Sequence, residues 1–316
     1  MGELQASGIE PAELLQLLNW IQIALPHNER RARLGEAIER YRQGPFLQPS
    51  QVVSGSKRLA AAYFVPLPGQ VATLGGVRCV SGQETLAIEL LRQSANKARQ
   101  LGLSQIQAVV PQTDSITPKL LHRAGFTKLT TVSHLTLELN GTSTQKRPAS
   151  PGNTAAPTQG MFRSARELSS RRLAYLIHQT FEGTLDCPAL NGKRDHQQVL
   201  AGFLDGQPLR QQAHWFTLHT LGPNATGTLV SSELAGCLLL NPHGNELVEL
   251  SYLGLLPSMR GQGFGRQLVS QAIDVAQSLK ASLLVAAVDD ANTPALSIYQ
   301  QFGFTPHQSF SVWLQA

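Results

Sequence analysis

Charge, aromatic rings and cysteine are all scarce in this chain, and long apolar runs are missing altogether. Charged residues make up 15% of it, aromatics 6% and hydrophobic residues 42%, the balance of a globular protein with enough apolar material for a buried core. The three cysteines, Cys79, Cys187 and Cys237, lie far apart, with no Cys-x-x-Cys and no neighbouring histidine pair. That excludes a disulfide framework and offers no zinc ligand set, so no metal is expected. No run approaches the ~18 apolar residues that cross a bilayer. The segment Met1–Pro11 lacks a basic stretch followed by an apolar one, so no leader is expected and the expected setting is cytoplasmic, without a membrane partner. The net charge of +5 is modest, and the basic residues are scattered, which argues against a nucleic acid partner. Solvated faces or a phosphorylated cofactor account for the excess. Nothing in the composition speaks to oligomeric state.

A length of 316 residues suits two domains of roughly 100–200 residues each. Hydrophobic periodicity predicts helices over 13–24, 28–41, 84–101 and 118–124, with strands near 58–65, 70–77, 105–110 and 131–139. Residues 141–160 have no hydrophobic period and are dense in Ser, Thr, Pro and Gly. Such a stretch buries too little to offset its ordering entropy and reads as a flexible linker. Two domains are therefore expected, residues 1–140 and residues 161–316. Beyond the linker, strands are expected near 162–165, 213–220, 234–240, 247–255 and 282–288. Helices are expected over 169–181, 195–204, 263–279 and 294–302, with terminal strands after them.

The second half repeats the first. Setting Gly303-Phe304-Thr305 on Gly125-Phe126-Thr127 gives an offset of 178, which holds without a gap back to Gly254 on Gly76. Leu268 then falls on Leu90, Ala276 on Ala98, Ala286 on Ala108 and Val288 on Val110, positions where a helix or strand would face a core. Two copies of one unit, each with strands and helices in a mixed α/β sheet, is the economical reading.

The segment from Leu255 to Arg266 carries the chemistry. It follows a hydrophobic strand and opens an amphipathic helix, with Gly261, Gly263 and Gly265 in the turn. Small residues let the backbone approach a ligand, and the helix start offers N–H groups and positive dipole to a phosphate. Arg260 and Arg266 would add charge-assisted bonds to the same anion. A dinucleotide fingerprint fails because Arg266 stands where the third glycine belongs, and a Walker loop fails for want of Gly-Lys-Ser/Thr. A glycine-rich turn without any ligand is the bland alternative.

Arg260-x-x-Gly263-x-Gly265 resembles the Gln/Arg-x-x-Gly-x-Gly/Ala pyrophosphate loop of the GCN5-related N-acetyltransferases (GNAT). Downstream, Asn292-x-x-Ala295-x-x-x-Tyr299-x-x-x-Gly303-Phe304 resembles a second segment of that family. The two occur in the family's order, with Gly265 and Asn292 27 residues apart. The resemblance implies a tandem acyl-CoA N-acyltransferase fold and acetyl-CoA as co-substrate. By position, Leu255, Leu256 and Pro257 would meet the pantetheine through backbone groups. The amides of Arg260, Gly261, Gln262, Gly263, Phe264, Gly265 and Arg266 would hold the pyrophosphate. Asn292, otherwise a helix cap, would contact the cofactor, and Tyr299, otherwise a packed helix aromatic, would direct its hydroxyl at the thioester sulfur.

The attacking ammonium must lose a proton. Glu249, 11 residues before Arg260, resembles the strand glutamate that serves as base in one branch of the family. Glu246 and a water chain are its rivals. Asp186 reads as a turn residue that would also suit an amine, and Cys187 as a bystander. In the first copy the offset puts Gly82 at Arg260, Thr85 at Gly263, Ala87 at Gly265, Asp114 at Asn292, Leu121 at Tyr299 and Val71 at Glu249. Residues 1–140 therefore read as a degenerate copy that supports the active half. The implied function is acetyl transfer from acetyl-CoA to a primary amine on an unidentified small molecule or protein. The alternative is a non-catalytic acyl-CoA-binding module in regulation or assembly.

Overall fold

The computed structural model describes residues 4–5, 11–22, 48–139, 160–223 and 229–315. The helix expected over 28–41 and the connecting stretch 140–159 lie outside the described residues. Contacts divide the chain into two compact units: Met1–Leu129 with Phe310–Ala316, and Thr130–Ser309.

The first unit holds strands β1 (Leu4–Gln5), β2 (Gln48–Ser54), β3 (Lys57–Leu67), β4 (Val71–Cys79) and β5 (Gln105–Pro111). Its sheet is completed by the last strand of the chain, β12 (Thr305–Gln315), in the order β1-β2-β3-β4-β5-β12. Only β4 and β5 run parallel, and parallel neighbours need a crossover, here helix α2 (Glu84–Gln100). Residues Ala87, Leu90, Leu91, Ala95 and Ala98 recur at helical spacing on α2 and are buried against Ala60, Ala62, Phe64, Ala108 and Trp313. On the other face, α1 (Pro11–Ile21) buries Leu14, Leu17, Leu18 and Ile21 against Ala61 and Tyr63. A short helix, α3 (Thr117–Arg123), precedes strand β6 (Phe126–Glu138).

Most of β6 belongs to the second unit. There it joins β7 (Gly160–Ser164), β8 (Trp215–Pro223), β9 (Leu229–His243), β10 (Leu247–Leu255) and β11 (Leu283–Asp289) in the order β6-β11-β10-β9-β8-β7. The parallel pair is β10 and β11, crossed over by α6 (Phe264–Ser278). Helices α6 and α7 (Thr293–Gln301) cover one face through Phe264, Leu268, Val269, Ala272 and Tyr299. Helices α4 (Ser170–Thr180) and α5 (His196–Leu204) cover the other through Leu173, Leu176, Ile177 and Leu200, packed on Trp215, Cys237 and Leu239. No described helix is long and apolar enough to cross a membrane.

Two features differ from the sequence expectation. The sequence repeat divides at 141–160, whereas the compact units divide inside β6 and β12, so each sheet ends on the strand that follows the other repeat's last helix. The registers are equivalent: Asp289 faces Val132 as Pro111 faces Phe310. The offset of 178 also fails upstream of the glycine loop. The pair Leu247/Leu283 corresponds to Val71/Gln105, so β10 lies 176 residues from β4 while β11 lies 178 from β5. Both strands carry a bulge at the matching place, Ser251 in β10 and Gly75 in β4. The counterpart of Glu249 is therefore Thr73 and not Val71, and the two-residue difference falls in the loop itself. The ungapped alignment survived by sequence because glycines and small apolar residues populate both registers.

A fragment of residues 161–316 lacks β6 and with it the buried Leu135 and Leu137. Two buried leucines contribute about 3–6 kcal/mol, against a typical total of about 5–15 kcal/mol. Thermal unfolding followed by circular dichroism should show no cooperative transition for 161–316 and a restored one for 126–316. A cooperative transition of 161–316 at the full chain's temperature would show that β6 is dispensable.

Candidate active site

The site begins with a bulge. Val248 and Leu250 of β10 face the α6 side of the sheet, and the extra residue Ser251 resets the alternation so that Leu253 and Leu255 face it again. Pairing of β10 with β11 ends at Leu250/Ala286, while β10 stays paired with β9 as far as Leu255/Gly236. β11 in turn stays paired with β6 as far as Asp289/Val132. The two parallel strands therefore part beyond Leu250, and the β11-facing backbone groups of Ser251–Leu255 are left outside that ladder.

At the open end the chain turns through Pro257–Met259, one turn of 3-10 helix, into the glycine loop. Gly261 and Gly263 have φ of +74° and +86°, left-handed values that disfavour any side chain. Both are exposed, and a Cβ on either would meet nothing within 4 Å, so an open cradle lies over the loop. Gly263 is the N-cap of α6, whose first turn presents N–H groups without partners one turn back. Of these, the Arg266 amide bonds the Gly263 carbonyl at 3.2 Å. Phe264 is fully buried and pins the helix start to the core. Gly265 is buried too: a Cβ there would sit 3.0 Å from Ile298 Cδ1, so this glycine serves close approach of α6 to α7. Arg266 bonds Gln301 and lies over the Phe302 ring. Gln262 donates to the Ser258 carbonyl at 2.7 Å.

Tyr299 on α7 is 5% exposed and packs edge-on against Phe304 at 5.1 Å. Burial, and then the charge of Asp186, raise its pKa, so it holds its proton at neutral pH. Asn292 caps α7, its Oδ1 accepting from the Ala295 amide at 3.3 Å. Glu249 is half exposed, its Oε2 2.7 Å from Nε2 of His243 on the neighbouring strand, and it stands one residue before the strands part. Glu246 occupies the turn before β10, beyond the closed end, and its carbonyl accepts from Ser282 and Leu283.

Sequence reasoning missed what holds the acceptor-side segment after α4. Asp186 is not a local turn aspartate: its Oδ1 accepts from the amide of Asp289 at 2.9 Å. The buried Asp289 returns the bond, its Oδ2 accepting from the Cys187 amide at 2.9 Å. Solvent reaches Asp186, yet protein crowds the carboxylate, as expected of a group lining a cleft. That crowding, with the Asp289 charge as a lesser cause, raises its pKa. Across the strand, the Tyr252 hydroxyl lies 2.7 Å from Thr180 Oγ1. An aspartate closing a strand, as in Val288-Asp289-Asp290, was the available signal for the clasp, but its partners are backbone groups without a sequence signature. Among the described residues no cluster of metal-binding side chains occurs.

Cys187, held at φ +46° beside the two aspartates, has its pKa pushed up to about 11 by burial and by the charges of Asp289 and Asp186. Since the thiolate is the reactive form, only about 0.1% of it is reactive at pH 8. Iodoacetamide labelling of Cys187, read by peptide mass spectrometry, should be slow at neutral pH and rise about tenfold per pH unit up to pH 10. A half-maximal rate at about pH 8.5–9 would mean the thiol is unperturbed.

Residues 191–304 match the family described as the acetyltransferase (GNAT) family. The chain is 32% identical over 81 residues to a mycothiol acetyltransferase of Corynebacterium glutamicum, a stretch covering 26% of this chain and 28% of that protein. It is 35% identical over 72 residues to the uncharacterized N-acetyltransferase YvbK of Bacillus subtilis, covering 23% of this chain and 46% of that one. The chain thus spans less than half the length of either curated relative. Among solved structures it resembles a GCN5-related N-acetyltransferase from Sphaerobacter thermophilus, with TM-score 0.63, 13% identity and coverage of 98% and 95% of the two chains. It also resembles a tandem GNAT protein from the clavulanic acid biosynthesis pathway, with TM-score 0.53, 16% identity and coverage of 99% and 98%. At such identities the likeness is one of fold.

Proposed function

We propose that this chain, whose residues 191–304 match the acetyltransferase (GNAT) family and whose fold resembles a tandem GNAT protein, transfers the acetyl group of acetyl-CoA to a primary amine by direct attack. The observation that carries this reading is the parting of β10 from β11 beside an open glycine cradle at the start of α6. The β11-facing strand backbone of Ser251–Leu255 suits the amide-bearing pantetheine, whereas Leu256 and Pro257 are engaged, the Leu256 amide with the Ala235 carbonyl and the Leu256 and Pro257 carbonyls with the amides of Met259 and Arg260. The amides around Gly261–Gly265 suit its pyrophosphate. The side chain of Arg260 is engaged with carbonyls and its amide with the Pro257 carbonyl, so that residue would serve the anion through its field.

The amine nitrogen forms its bond to the thioester carbonyl carbon as the carbon–sulfur bond breaks. Tyr299, a phenol whose ionisation burial moves still further above neutrality, supplies the proton that the departing thiolate takes. Glu249, beside His243 at the closed end of the opening, accepts the ammonium proton, directly or through water. Glu246 lies three residues further from that opening, about 10 Å along the strand. Asp186 offers the incoming ammonium a carboxylate oxygen on the acceptor side.

The first unit is a scaffold in this reading. Its strands β4 and β5 also part, after Leu74/Ala108, but only Val80–Gln83 connect β4 to α2, where Leu256–Gly263 connect β10 to α6. The Tyr63 ring lies over its bulge glycine, Gly75. Leu121, fully buried, replaces Tyr299, and Asp114 caps the turn into α3 through the amides of Ile116 and Thr117.

Isothermal calorimetry should therefore find one acetyl-CoA site per chain. Ligand at ~100 times its dissociation constant should stabilise the binding unit by about 2.7 kcal/mol. Two equivalent sites would overturn the scaffold role. Gly263→Asp should abolish binding, and the left-handed backbone adds a folding cost of about 1–2 kcal/mol. Tyr299→Phe should bind acetyl-CoA as before while thiol release with an amine panel falls by ~100–10,000-fold. Binding without thiol release from any amine in the wild-type protein would instead leave an acyl-CoA-binding module.

A further inference from the structure

Arg260 carries a role that the glycine pattern around it does not announce. Its guanidinium donates to four backbone carbonyls: Thr180 at 3.0 Å, Glu182 at 2.7 Å, Gly183 at 3.0 Å and Leu255 at 3.3 Å. The first three end helix α4 and begin the segment after it, where orphan carbonyls collect partial negative charge. The fourth ends β10. Among the described residues no carboxylate pairs with Arg260, so its full charge meets only neutral acceptors. The next residues along the chain are the open amides of Gly261–Gly265.

The segment from Thr180 to Cys187 is thus fastened to both lips of the opening. One end is gripped by Arg260 from the glycine loop, and the other is clasped to the end of β11 by the paired bonds of Asp186 and Cys187 with Asp289. Its amides are held within this frame: Thr184 to the Phe181 carbonyl and Asp186 to Thr184 Oγ1, both at 3.0 Å. A ligand anion on the loop amides would fix the backbone of Arg260 and offer its cation the missing counter-charge, tightening the grip on the segment.

Resting on the acetyl-CoA reading above, we propose that Arg260 is a positioning residue that couples the glycine loop to the segment bearing Asp186. Donor binding then orders the surface that receives the acceptor, a cationic amine whose ammonium meets Asp186. A lysine cannot substitute, since one ammonium has no fork with which to span carbonyls from two elements.

Amide hydrogen exchange on the full chain, with and without saturating acetyl-CoA, tests this. In the wild-type protein acetyl-CoA should slow exchange in peptides covering 261–265 and 181–187 together, by at least about tenfold. In Arg260→Ala the slowing should persist at 261–265 and vanish at 181–187, and Arg260→Lys should behave likewise despite its charge. A residue that merely stabilises the segment would raise exchange at 181–187 equally with and without ligand and produce no ligand effect in the wild type. Slowing at 261–265 alone in the wild type, or paired slowing in either variant, overturns the coupling. No slowing at 261–265 in the wild type overturns the acetyl-CoA reading itself. Should Arg260→Ala fail to fold, Arg260→Lys alone carries the comparison.

Discussion

The second unit is organised by one interruption, the end of hydrogen bonding between β10 and β11 at Leu250/Ala286. Ser251 is a residue too many for the ladder, and the strand bends around it. Upstream, both neighbours hold β10 flat and the sheet is a continuous core layer. Downstream, β9 keeps its grip while β11 departs with β6, and polar backbone becomes available between two otherwise well-packed strands. Everything proposed for catalysis sits around that gap: the glycine cradle at one lip, Asp289 and Asp186 at the other, Tyr299 buried beneath. The hydrophobic face formed by α6 and α7 keeps the gap from collapsing, because Phe264, Leu268 and Tyr299 fill the volume under it.

The first unit keeps the fold without the residues proposed for the site. Its strands part at the matching register, and its helix α2 buries the same row of small and apolar residues. Four residues connect strand to helix where the second unit uses eight. Leu121 is buried where the second unit buries Tyr299, so the packing is kept without the hydroxyl. The two units share the periodic apolar positions and differ in the connection between strand and helix.

That division also explains what could be read without coordinates. Helices α2, α6 and α7 and strands β4, β5, β10 and β11 follow from apolar spacing, and the loop announces itself through Gly261 and Gly263. The exchanged places of β6 and β12 do not. Alternation marks both as strands, but nothing in Val132–Glu138 or Phe310–Gln315 names a partner, since ladder bonds are made by backbone. The carbonyl grip of Arg260 and the clasp of Asp289 were hidden for the same reason: their partners are carbonyls and amides, whereas the helix cap of Asn292 was legible. The His243–Glu249 contact joins diagonal neighbours on β9 and β10, on the turn side of the bulge, where the hairpin pairs Leu247 with His243 and Glu249 with Asn241.

The position of β12 has a consequence during synthesis of the chain. Its partner Pro111 leaves the ribosome 199 residues before Phe310 does. At about 5–20 residues per second, β5 waits about 10–40 seconds as an open edge with Val109 and Val110 along it. Open apolar edges recruit foreign strands. The edge of β5 is therefore covered by its native partner only when the last residues of the chain have been made.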